Sequence, residues 1–299
     1  MTTIAPPPPP PAPVGPPPEL SPGGRTALRG VLIAAATILV AAAVAALGVA
    51  AWGLSTVRVL SDSHALPSAM RSLVIDTADI PVAVRITSDP RAEEGRANLR
   101  LVNTASSGEH RLAMTTTGPE TRIVLEGRPS RTFGWARGGE ITVTLPPEQA
   151  RRLSVRTQQE TGVVLAQADI DQLTARTTHG AVVLSGSARR VEVQTADGAV
   201  TARDPISVRE RFSATTSEGD IAVDFRDAAP RTVEAISRDG DIVLGLPDRG
   251  PYLVRAQSGD STRVRVPETS DPADATSEIT ARTDNGSVVI EESDDGWRR

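Results

Sequence analysis

The sequence predicts an all-β fold: a single-stranded β-solenoid (β-helix) of repeats about 20 residues long, following one N-terminal transmembrane helix. Three observations predict it. A phrase of alternating apolar residues broken by a glycine returns at 173 (LTARTTHGAVVL), 191 (VEVQTADGAV), 212 (FSATTSEGDIAV), 233 (VEAISRDGDIVL) and 279 (ITARTDNGSVVI). Aromatic residues make up only 2% of the 299-residue chain, so its interior must be built from Ala, Val, Leu and Ile, which suit a thin layered core. Near the N-terminus, GVLIAAATILVAAAVAALGVAAWGLSTV runs from Gly30 to Val57 without a charge.

Residues 1–28 contain APPPPPPAPVGPPPELSPGG. Proline fixes φ and removes amide donors, so a disordered or polyproline II tail is expected, on the cytoplasmic side. Residues 29–57 form the expected transmembrane helix. The uncharged run would span roughly 42 Å as a helix, against a hydrocarbon core of about 30 Å. It far exceeds the apolar region of about 7–15 residues in a cleaved signal peptide, which favours a retained anchor. Arg25 and Arg29 before it and Arg58 and Arg71 after it barely discriminate an orientation. A short tail before the anchor and a large polar domain after it place the repeat domain outside the cytoplasm. A linker at 58–70, a β-strand-repeat domain at 71–292 and a tail at 293–299 complete the expected organisation.

The copies share one rule, Φ-x-Φ-x-[S/T]-x-x-G-x-Φ-x-Φ, where Φ is apolar. Alternation with period two buries one face of a strand and wets the other. The residues assigned to the repeat turns are Gly162, Gly180, Gly198, Gly219, Gly240, Gly259 and Gly286. Glycine there supplies a backbone conformation that a β-carbon resists. Unit starts at 153, 173, 191, 212 and 233 give the period, with a turn two residues longer before Gly162. Leu73, Ile75 and Thr77 open an earlier copy with Ile80 in the glycine place, and the copy at 253–266 moves its glycine to 259. Stacked neighbours would bury what one unit cannot. The alternative is an antiparallel β-sandwich of stacked hairpins, since Asp197-Gly198 and Asn285-Gly286 are also hairpin signals.

The [S/T]-x-x-G-x-Φ-x-Φ phrase, with the link ITVTLPPEQARRLSVRT into its first good copy, resembles the putative-adhesin family of bacterial envelope proteins. The resemblance covers roughly residues 71–292 and implies a non-enzymatic, surface-facing β-helical domain of unknown molecular function. It brings no catalytic residues.

No catalytic, cofactor-binding or metal site is expected. Without cysteine there is no disulfide, thiol nucleophile or Cys-ligated metal. His64, His110 and His179 lack ligand spacing. Asp197, Asp220, Asp239, Asp241 and Asp260 lie at the turns and could form an acidic edge, as in a polysaccharide hydrolase or lyase. Turn chemistry is the simpler account. The pairs Gly219-Asp220, Gly240-Asp241 and Gly259-Asp260 could offer oxygen to calcium, but no nonapeptide or EF-hand motif accompanies them. A formal charge of −5 and no basic stripe disfavour nucleic acid. Phe133-Gly134-Trp135 is the one candidate aromatic contact patch. The expected role is therefore that of a single-pass membrane protein acting in adhesion, scaffolding or envelope-stress sensing. Its partners would be other envelope proteins or further copies of itself, and the alternative is an envelope polysaccharide-acting enzyme.

Overall fold

A computed structural model describes residues 57–104, 111–126 and 139–293. In chain order the strands are β1 (Val57–Leu66), β2 (Ser72–Asp76), β3 (Val82–Ser88), β4 (Gly95–Thr104), β5 (Arg111–Thr117), β6 (Glu120–Glu126), β7 (Gly139–Leu145), β8 (Ser154–Gln167), β9 (Ile170–His179) and β10 (Val182–Leu184). There follow β11 (Ser187–Asp197), β12 (Val200–Ala202), β13 (Ser207–Glu218), β14 (Ile221–Asp224), β15 (Thr232–Asp239), β16 (Ile242–Leu246), β17 (Tyr252–Gln257), β18 (Ser261–Arg265), β19 (Ser277–Asn285) and β20 (Ser287–Glu292). One helical turn, Pro147–Ala150, interrupts them.

Each repeat contributes one strand to each of two sheets. The first sheet runs β5, β6, β2, β8, β9, β11, β13, β15, β19, β17, and every pairing is parallel except β5 with β6. The second runs β1, β4, β7, β3, β8, β10, β12, β14, β16, β20, β18, parallel from β7 onward. The long strand β8 belongs to both, so the sheets are continuous through it and close round one core in a near-closed, barrel-like array.

The alternation in the sequence is what fills that core. Leu173, Val191, Phe212, Val233 and Ile279 are successive neighbours across the first sheet, and all are buried. Val164, Val182, Val200, Ile221, Ile242 and Val288 do the same in the second. Phe212 from the first sheet meets Phe225, the residue just after β14, edge to face with ring centroids 5.3 Å apart. Small side chains elsewhere keep the interior narrow.

Several sequence expectations are corrected. The strands on either side of each repeat glycine pair with neighbouring coils and not with each other, which rules out stacked hairpins; among the described residues β5–β6 is the one such hairpin. The single-stranded solenoid of successively paired coils is corrected as well. Antiparallel strands β1, β4 and β5 extend one end, and coil order departs from chain order at both ends. The β6–β7 coil stacks outside β2–β3, and the last coil, β19–β20, inserts between β15–β16 and β17–β18.

Residues 1–28 and the expected helix at 29–57 lie outside the described residues, except Val57, which opens a strand; the expected linker is largely that same strand, β1. Among the described residues no helix is long and apolar enough to cross a membrane. The single-pass arrangement with a cytoplasmic N-terminus and an extracytoplasmic repeat domain, and the membrane partner expected with it, therefore find no support among the described residues.

The repeat register also differs at its start. Val155, not Leu153, stands opposite Leu173, so the β8 copy has the ordinary step to Gly162, with Gln159 in the Ser/Thr place. The longer turn belongs to the copy before it, where Val82 rather than Ile80 stands opposite Gly162. Ala78, at φ 48°, takes up the extra residues there.

Candidate interaction surface

The glycine corner joins the first-sheet strand of each coil to its second-sheet strand. Gly162, Gly180, Gly198, Gly219, Gly240 and Gly286 have φ between +133° and +151°. Conformation is only part of the reason for glycine. A β-carbon on Gly180 would lie 1.7 Å from the Gly162 carbonyl oxygen, and one on Gly198 would lie 1.8 Å from that of Gly180. The glycines stack directly on one another. Gly259 is displaced and would instead press on the Asp284 carbonyl oxygen at 2.1 Å.

Hydrogen bonds knit this stack. Gly180 N–H donates to the Asp197 carbonyl at 2.8 Å, and Gly198, Gly219 and Gly240 repeat the bond one coil further on. In return, the hydroxyls of Thr195, Thr216, Ser237 and Thr283 donate to the carbonyls of Gly180, Gly198, Gly219 and Gly240. Gln159 fills the same role with its amide, donating to the Val82 carbonyl at 3.2 Å. The recurring spacing from Ser/Thr to glycine within a copy thus serves a bond between copies.

Of the acids considered for catalysis, Asp220, Asp239 and Asp241 are engaged in the same ladder. Asp220 Oδ1 accepts the Asp241 N–H at 2.9 Å, and Asp241 Oδ1 accepts the Ser287 N–H at 2.8 Å. Asp239 Oδ1 accepts from Asn285 Nδ2 at 2.7 Å, and Asp197 lies 3.5 Å from His179 Nδ1. The structure brings them to the glycine corner. Among the described residues no group of three or more His, Cys, Asp or Glu is placed to hold a metal. Phe133-Gly134-Trp135 and His110 lie outside the described residues.

The outward faces of the two sheets differ. On the first sheet, charges are matched across coils: Arg189 bonds Asp171 at 2.9 Å and Glu210 at 3.0 Å, Arg190 bonds Glu210 at 2.7 Å, and Arg211 bonds Glu234 at 2.6 Å. The bond to Arg189 holds the Asp171 carboxyl below its ordinary range, and burial opposes this only in part. On the second sheet the outward column runs Leu165, Val183, Thr201, Ala222, Val243 and Val289, each in register with the next. Arg85 and Arg263 stand at its two ends. At one edge of the column, Arg203, Asp204, Pro205, Asp224, Arg265 and Glu291 line an open cleft of ≈ 720 Å³. Asp224 is exposed, yet its carboxyl lies over Gly245, where a β-carbon would come within 2.1 Å of Oδ1. Burial there pushes that carboxyl up, and the charge of Glu291 adds to the effect.

No family model matches the chain, and no curated protein matches it. Solved structures do. A putative cell adhesion protein from Clostridium sporogenes is 8% identical over 79% of this chain and 100% of its own, with a TM-score of 0.37. A putative adhesin from Bacteroides fragilis is 11% identical over 79% and 97%, with a TM-score of 0.38. Another from Parabacteroides distasonis is 10% identical over the same shares, with a TM-score of 0.40. Likeness at this level transfers no ligand, activity or residue role to the chain.

The sequence reading missed the apolar outward column. Its signal was present in the phrases GVVLA, GAVVL, GDIVL and GSVVI, where the residue between the two core positions is itself apolar. A strand read as apolar throughout is one whose two faces are both suited to burial.

Proposed function

We propose that this chain is a non-catalytic β-repeat module that acts by presenting ordered side-chain arrays to a macromolecular partner. The observation that carries the reading is the engagement of Asp220, Asp239 and Asp241 in bonds between coils. A general acid or base must reach a substrate proton, and a carboxylate that caps the next coil's backbone is placed for stacking instead. In-register stacking also repeats each outward position at a spacing of about 4.8 Å, which suits extended contact surfaces.

The test replaces Asp197, Asp220, Asp239 and Asp241 with Asn together and offers the wild-type and variant chains a panel of envelope polysaccharides. The module reading expects no turnover by either chain and a lowered urea midpoint for the variant. Turnover by the wild type that disappears in a folded variant would overturn it.

A further inference from the structure

The second sheet's outward column is an apolar face with no described element packed on it. Leu165, Val183, Thr201, Ala222, Val243 and Val289 run across six adjacent strands, a length of about 24 Å at strand spacing. Every one is partly exposed. In the first sheet, by contrast, the column from Arg176 through Gln194, Thr215 and Ile236 to Arg282 is mainly polar. Monomers rarely leave a continuous apolar stretch uncovered without an interaction to serve.

Charge along its borders narrows the occupant. Over the β14–β20 half, Asp220 and Asp241 stand on one side of the column and Asp224 and Glu291 on the other. None of these four carboxylates is in an ion pair among the described residues. Asp220 and Asp241 each use one oxygen on a backbone N–H, which leaves the charge unmatched. Arg203 and Arg265 stand at the cleft without pairing to either Asp224 or Glu291.

We infer that this face docks a basic amphipathic helix of a partner protein, its apolar stripe on the column and its cations toward the two acidic borders. The dimensions agree. Asp220 to Asp224 spans four residues of strand, about 13 Å, and a helix with its side chains is about 10–12 Å wide. The column's length corresponds to about 16 helical residues. A second copy placed face to face with the same halves in contact would instead bring acidic borders into one another's reach. The inference rests on the reading of the chain as a contact module and names the face and the partner chemistry.

The test uses the full 299-residue chain and a fluorescently labelled peptide of about 18 residues, helical, with a Leu/Ala stripe bordered on both sides by Arg. Anisotropy is expected to show saturable binding that weakens as salt rises. Val243→Arg, on the outward face, should weaken it at least tenfold with an unchanged melting temperature. Asp224→Asn with Glu291→Gln should reduce the salt dependence, and Thr215→Arg on the first sheet should leave binding intact. Absence of saturable binding, equal binding by Val243→Arg, or a concentration-dependent dimer that Val243→Arg abolishes would each overturn the inference. Those results leave the module reading standing, because that reading fails by polysaccharide turnover, a separate measurement on other residues.

Discussion

Gly180 rests on Gly162 so closely that a β-carbon on the upper residue would sit 1.7 Å from the lower carbonyl oxygen. No rotamer relieves that overlap, because both partners are backbone. The same contact recurs along the stack and fixes the height at which each coil sits on the last. The glycine corner is therefore the element that sets register between copies.

Replacing Gly180 with Ala should lower stability by about 3 kcal/mol or more, since overpacking and an unfavourable φ act together. Gly118 provides the control. It has φ +60° but open space around it, so Gly118→Ala should cost only about 1 kcal/mol. Urea midpoints of the two variants measure the difference, and equal losses would show that conformation, not stacking, governs the corner.

The hydroxyl ladder makes a second expectation. Thr283 Oγ1 bonds the Gly240 carbonyl at 2.9 Å, so Thr283→Val should cost about 1 kcal/mol. Thr157 is fully buried and its hydroxyl has no partner among the described residues, so Thr157→Val should be neutral or raise the midpoint. The two substitutions are chemically identical, and a common sign for both would contradict the hydrogen-bond assignment.

Two carboxylates should give opposite pH slopes. The lowered value at Asp171 means that its bond to Arg189 stabilises the fold fully above the ordinary value of 3.8. That contribution is lost as pH falls through the lower folded value, so Asp171→Asn should destabilise at pH 7 and match the wild type in strong acid. Asp224 is raised above 3.8 by burial and by Glu291, so its ionised form opposes folding at neutral pH. Asp224→Asn should therefore raise the midpoint at pH 7, with the gain vanishing below pH 3.8. Chemical denaturation across pH reads both.

Phe212 of the first sheet and Phe225, just beyond β14 of the second, pack through fully buried rings. Phe212→Ala should cost about 3–5 kcal/mol, since the cavity lies between two packed layers. A loss under about 1 kcal/mol would mean that the sheets are held together elsewhere.

The alternation and the glycine step are legible in the sequence because they are local: Leu173, Val191, Phe212, Val233 and Ile279 hold the same place in each copy and are neighbours in the sheet. The copy at β8 was misaligned by two residues because Gln159 does the work of a threonine there, which an [S/T] pattern cannot register. The apolar outward column was equally present in the letters, but which sheet each letter faces depends on the corner.

By itself the sequence determined the β periodicity, the glycine positions and an interior of small side chains, since each follows from residues within one copy. Only the tertiary structure decided that the glycine is a corner and not a hairpin turn, that β19–β20 inserts ahead of β17–β18, and which apolar residues face outward. The physical reason is that each copy offers nearly the same edge to every other. Pairing choices are then made by non-local fit, such as a glycine meeting a glycine carbonyl or a hydroxyl reaching the next coil, and no single copy contains that information.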